Sequence, residues 1–323
     1  MIKELKVIIQ PVKMRSALEI WDSDETPIAK IAWVRGPKKP RDLLRRTEKP
    51  PIDVSLESLE KMGLVSVLEP VKISSPEDVK KIPDNVDAIL IGDSEDWLAD
   101  ESLLDALASL NKPLLVEWDS WGYSIHGRIS KFRFKKYRNV KRYYTMGASD
   151  VLSLVRALRG WKTIRTLKVL YIGRYPSHSV AVSSEITFDK LKDKFGSEVV
   201  QIGFKEYVEE VNSVSEAEVK DIVEEWKRNF VFLDNRVNMV NHYAKIYAAL
   251  KKLMNKYGAN SLVVDCAGLP DLEYVPCLAF SLLINEGVPC GCEGDLPTLF
   301  TLALLMGISG KPALMGNLNE NVT

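Results

Sequence analysis

The stretch LVVDCAGLPDLEYVPCLAFSLLINEGVPCGCEGD, residues 262–295, decides the fold. It opens on Leu262–Cys266, a short apolar run that reads as a strand. Pro276–Glu286 has the length and composition of a helix, and Val288–Cys292 returns to a strand-like run before a second helix, Pro297–Gly307. Strand, helix and strand in this order pair in parallel, with the helices on the faces of the sheet. Leu299–Met306 is apolar on all sides, which predicts a fully enclosed helix. Pro312–Gly316 reads as one more strand.

The same alternation extends upstream. Leu167–Gly173 and Val199–Gly203 read as strands around a helix, Ser184–Phe195, ended by Gly196. Ser215-Glu-Ala-Glu218 is a capping box, and Val219, Ile222, Val223, Trp226 and Phe230 repeat behind it at helical spacing. Val237–Tyr257 is a longer amphipathic helix closed by Gly258. Before Lys162 the strands are Leu5–Ile9, Ile28–Val34, Val65–Leu68, Ala88–Ile91 and Pro113–Glu117. Ser55–Met62 and Glu101–Leu110 read as helices, the second capped by Asn111, and Ser75-Pro76 is a helix start signal. Trp118–Tyr144 breaks the pattern and reads as a long connection or ribbon. The expected architecture is α/β: two doubly wound, Rossmann-like parallel-sheet domains, residues 1–163 and 164–323, with the boundary near Gly160–Arg165.

Composition narrows the function classes. The 323 residues are 46% hydrophobic and 27% charged, enough for a sizeable core. Lys plus Arg equals Asp plus Glu at 44 each, so net charge implies no general attraction to nucleic acid or membrane. No apolar run approaches the ~20 residues that span a bilayer, and the N-terminus has no signal-peptide pattern. Four cysteines and three histidines make neither a disulfide scaffold nor a His-rich metal centre. Two glutamines beside abundant Lys and Glu hint at a hot-growing, thermophile source. The expected setting is cytoplasmic.

Ligands of open parallel sheets bind at the carboxyl ends of the strands. The densest polar cluster of this kind is Cys290-Gly-Cys-Glu-Gly-Asp295. Glu293 stands at the strand tip between residues that let a ligand approach closely. Asp265 closes the neighbouring strand and Asn317 follows the last one. Such oxygen donors suit a hard cation, Mn²⁺ or Mg²⁺, and a carboxylate beside it can move a proton between adjacent carbons. Asp295 is also well placed as the N-cap of the next helix, and Asp265 as a second carboxylate behind the ligands or a cap. His178 follows strand Leu167–Gly173 and is a candidate sugar contact. Cys290 and Cys292 read as buried small hydrophobes, as do Cys266 and Cys277.

Lys131–Arg142 holds seven basic residues and no acid, interleaved with Phe132, Phe134 and Tyr137. That pattern suits a nucleic-acid surface, but a two-faced β-ribbon explains it better. No G-x-G-x-x-G follows a strand, Gly307-Ile-Ser-Gly310-Lys-Pro has the wrong spacing for a P-loop, and neither H-E-x-x-H nor G-x-S-x-G occurs.

Pro276–Pro289, Cys292-Glu-Gly-Asp295, Gly310-Lys-Pro312 and Met315-Gly-Asn317 together resemble the second domain of the L-fucose isomerase family, which includes the L-arabinose isomerases. Weaker similarity reaches back through Leu167–Gly173 to about residue 150. The resemblance implies a metal-dependent aldose–ketose isomerase working through an ene-diol on Mn²⁺, or another divalent cation such as Mg²⁺ or Co²⁺. It implies a monosaccharide substrate and a homo-oligomer, trimer or hexamer, with sites at subunit contacts. The family's metal-binding glutamate carries onto Glu293. Its aspartate position falls on Asn317, whose amide can coordinate but cannot accept a proton. Its histidine belongs to a third domain, which would begin where this sequence ends. The expectation is either an isomerase whose C-terminal domain is missing, or a non-catalytic carbohydrate-binding or assembly paralogue.

Overall fold

A computed structural model of the protein describes residues 5–14, 56–91, 101–116, 148–177, 186–231 and 239–316. The expected strand Ile28–Val34, the segment Trp118–Tyr144 with its basic run, His126, His178 and Asn317 lie outside them. The chain divides into two compact units, residues 6–158 and 159–323, the second also taking in residues 1–5. The passage between them falls inside a helix.

In the first unit β1 (Val7–Met14) is the hub of a wholly parallel sheet. On one side it pairs β2 (Val65–Val67) through Ile9 and Val67, then β3 (Val71–Ile73) through Met14 and Ile73. On the other it pairs β4 (Ala88–Ile91), which pairs β5 (Leu114–Val116). Helix α1 (Leu56–Lys61) sets Leu59 among Val7, Ile9, Val65 and Ala88, joined by Leu154, Val155 and Leu158 of α3 (Ala148–Arg165). Helix α2 (Glu101–Ser109) packs Leu103 and Leu107 with Ile89 and Leu114 in a separate cluster.

The helix expected after Ser75 is a 3-10 turn, Pro76–Lys81. Pro83 explains the shortfall: the residue before a proline is pushed out of the helical region, and Ile82 is extended at φ −81, ψ 123. Six residues with no buried side chain then settle for the tighter helix.

The second unit repeats the plan. Its strands are β6 (Lys168–Ile172), β7 (Glu198–Ile202), β8 (Ser261–Val264) and β9 (Cys290–Gly291), all parallel, in the order β7-β6-β8-β9. Around them stand α4 (Phe188–Phe195), α5 (Phe204–Ser213), α6 (Glu216–Asn229), α7 (Val240–Tyr257), α8 (Cys277–Glu286) and α9 (Leu296–Ser309).

Strand side chains alternate between faces. Leu170, Ile172, Leu262 and Val264 join a core with residues of α5 to α8, while Val169, Tyr171 and Val263 join another with residues of α4 and α9. Both faces of the central strands are covered, so Val169–Ile172 and Leu262–Val264 are continuously apolar, while the edge strand β7 keeps exposed Glu198 and Gln201. The expected doubly wound α/β architecture is therefore what forms.

The local signals act as their chemistry requires. Thr187 caps α4 by accepting from the Lys190 N–H at 3.2 Å. At α6 the Ser215 N–H donates to Glu218 Oε2 at 2.8 Å, and the Glu218 N–H donates to Ser215 Oγ at 3.3 Å. Helix α5, which the pattern did not announce, buries Tyr207 and Val211.

Two expectations are corrected. Residues 312–316 form no strand: Pro312 has no N–H for a ladder, and Leu314 is 95% exposed. Nor is α9 enclosed all round, because Leu305 is 52% exposed.

Candidate functional site

The chain enters the second sheet at β6, moves outward to β7, then crosses to β8 and β9 on the other side. The winding reverses between β6 and β8, so the crevice for a ligand lies at their carboxyl ends. Ile172 pairs with both Ile202 and Val264, so the next residues, Gly173 and Asp265, leave the sheet side by side. The Asp265 N–H donates to the Ile172 carbonyl at 2.9 Å, and the Gly173 N–H to the Ile202 carbonyl at 2.9 Å. Gly173 has φ +123, and a Cβ there would press on the Phe204 ring and the Asp265 Cβ. Glycine is what allows β6 to end this close to Asp265. The Asp265 carboxylate is fully buried.

One strand further out, β9 delivers Cys292, Glu293, Gly294 and Asp295. Gly291 pairs with Val263, and the Gly294 N–H donates to the Val264 carbonyl at 3.1 Å. The turn thus folds back over the end of β8. Glu293 has φ 57, a left-handed conformation rare for a residue with a side chain. It is half-buried.

The loop after β6 reaches the same turn. Tyr171 Oη lies 3.0 Å from the Arg174 carbonyl and 3.4 Å from the Gly294 carbonyl, each an acceptor for its one proton. Burial, and then the charge of Asp265, push its pKa well above the ordinary value of 10.0, so it stays a donor. Gly294 has φ +70 and no room for a Cβ, which would run into Ser177 and the Tyr171 hydroxyl.

Sulfur forms the floor. Cys266 Sγ and Cys292 Sγ are 3.0 Å apart, and the Cys292 N–H donates to Met315 Sδ at 3.3 Å. The shared contact with Cys266 pulls the Cys292 thiol below its usual pKa, with the Glu293 N–H adding to the effect. The same contact, and then burial, push Cys266 up. Of the four cysteines only Cys290 is the buried small hydrophobe expected of all; Cys266 and Cys292 are half-buried and Cys277 is exposed. The two that meet, Cys266 and Cys292, come from the ends of different strands.

Of the candidate residues, the crevice contains Asp265, Glu293 and Asp295. Asp295 has a structural task, accepting from the Thr298 N–H at 2.9 Å and from the Thr298 hydroxyl at 2.6 Å as N-cap of α9. Asn317 and His178 lie outside the described residues. Tyr171 was missed, because a tyrosine in an apolar strand reads as core until the loops above it are placed. Among the described residues no three of His, Cys, Asp and Glu are grouped as a metal site, and no helix is long and apolar enough to cross a membrane.

Residues 178–310 match the family model of the L-arabinose isomerase central domain. Curated relatives agree. The L-arabinose isomerase of Clavibacter sepedonicus is 29% identical over 166 residues, covering 49% of this chain and 32% of that protein. That of Pediococcus pentosaceus is 34% identical over 111 residues, 32% of this chain and 23% of that protein. That of Thermotoga maritima is 29% identical over 104 residues, 32% of this chain and 21% of that protein. These alignments span at most about a third of the relatives' length.

Proposed function

We propose that the second unit is the sugar-handling part of an aldose–ketose isomerase of the L-arabinose or L-fucose type. One observation carries the reading: Glu293 is held in a left-handed turn at the strand-end crevice, inside the segment similar to the L-arabinose isomerase central domain. Interconverting an aldose and its ketose moves a proton between neighbouring carbons through an ene-diol. A carboxylate within reach of both carbons serves, taking the proton from one and returning it to the other. Glu293 is assigned that task. The Tyr171 hydroxyl, kept protonated by burial, lies beneath the turn and holds it in place through the Gly294 carbonyl.

A divalent cation, Mn²⁺ first, is part of the proposal; bound beside a sugar oxygen it supplies charge stabilisation. Glu293 would be one oxygen donor and the Asn317 amide a second. Hard cations of this kind take about six donors, so the described residues alone do not make the site. We assign the remainder to donors outside them, a neighbouring subunit of a trimer or hexamer included.

The test is Glu293→Gln, assayed for ketose formation from L-arabinose and L-fucose with Mn²⁺ present. Turnover is expected to fall about 10²–10⁴-fold, the range general-base removal produces; unchanged turnover rejects the assignment. A second reading, a sugar-binding protein without turnover, is favoured by the amide of Asn317 where the resemblance expects a carboxylate. It predicts that sugar raises the melting temperature of the unaltered chain while no ketose appears.

A further inference from the structure

We propose that Cys266 and Cys292 are a reversible disulfide-forming pair that staples the ends of β8 and β9 beneath the Glu293 turn. The two residues come from different strands, 26 positions apart in sequence, yet their sulfurs stand 3.0 Å apart. A disulfide needs a further approach of about 1 Å. Cys292 belongs to the bend after β9, and Cys266 to the short 3-10 turn after β8. Both residues are partly exposed, whereas Cys290 is buried in the strand.

The position gives the bond a consequence. Cys266 follows Asp265, and Cys292 precedes Glu293. A bridge between them ties the two candidate site carboxylates through one covalent link and fixes the turn that holds Glu293. In the reaction two S–H bonds break and one S–S bond forms. The two electrons and two protons pass to an external disulfide such as oxidised glutathione, whose own S–S bond is reduced to two thiols. A dithiol reductant reverses the step. Formation of the bridge does not depend on the isomerase reading; only its effect on turnover does.

The experiment uses the full chain without sugar or metal, incubated folded with oxidised glutathione, then alkylated and digested. The expected result is loss of two of the four free thiols, a mass lower by two hydrogens, and one linked peptide joining Cys266 to Cys292. The oxidised chain should also melt at a higher temperature, and dithiothreitol should return it to the starting value. Cys277→Ser should leave the link intact. Retention of four thiols, a lasting glutathione adduct in place of the link, or a link from Cys277 to Cys292 would each overturn the proposal. Because the readout is a mass, failure of Glu293→Gln to affect turnover would leave this result standing, and the reverse holds too.

Discussion

Glu293 and Gly294 sit at φ 57 and φ +70, two consecutive left-handed residues, and only the second is a glycine. Left-handed backbone costs a residue with a Cβ about 1–2 kcal/mol, so the glutamate is kept there by something other than local preference. Such outliers gather at functional sites, which agrees with the role assigned to it. Gly294 is needed for a second reason, the close approach of Ser177 and Tyr171. Gly294→Ala should therefore lose about 2–4 kcal/mol in urea denaturation, backbone strain and overpacking together. Gly196→Ala is the control: Gly196 also has positive φ, but its nearest neighbour to a new Cβ is 3.8 Å away. It should lose only about 1 kcal/mol. Equal losses would mean the approach of the two loops is unimportant.

Helix ends are where single residues act on whole elements. Asp295→Ala removes both oxygens that hold Thr298 and should cost about 1–2 kcal/mol, while Asp295→Asn keeps a cap and should stay within a few tenths. If Asp295→Asn also preserves turnover, the cap is the residue's whole contribution. At α6, Ser215→Ala should cost about 1 kcal/mol in the same assay.

Glu218 of that box is held down to about 2 from its ordinary 4.5, first by the Lys252 ammonium and then by the Ser215 N–H and hydroxyl. A lowered folded-state pKa gives stability that is complete above the unfolded value and is lost as pH falls through the folded one. The urea midpoint should therefore decline between about pH 4.5 and 2. Lys252→Met should flatten that decline; an unaltered slope would place the loss in other carboxylates.

These caps were legible in the sequence because each needs only a few adjacent residues. The start at Ser75-Pro76 was legible in the same way, whereas its 3-10 form and its stop before Pro83 were not read. Helix α5 was missed because it lies between two stronger signals, Gly203 and the Ser215 box.

Over the whole molecule, the doubly covered sheet of the second unit makes its strands the least replaceable part. Leu170 is fully buried in the core shared with α5 to α8. Leu170→Ala should cost about 2–5 kcal/mol in urea denaturation. Leu272 is 77% exposed, and Leu272→Ala should fall within about 0.5 kcal/mol. A small loss at Leu170 would mean that strand β6 is not enclosed on both faces.

What the sequence determined by itself was the α/β class, the order of most strands and helices, and the prominence of Glu293 at a strand end. Each follows from local chemistry: apolar runs of strand length, caps, and glycine stops. Only the tertiary structure decided which strand ends meet. The reversal of winding between β6 and β8 puts Gly173 beside Asp265. The fold-back after β9 brings Gly294 onto Tyr171 and Cys292 onto Cys266, across 123 and 26 positions of chain. No spacing rule encodes those meetings, because they arise from packing helices on both faces of a sheet, and that is settled by the whole core at once.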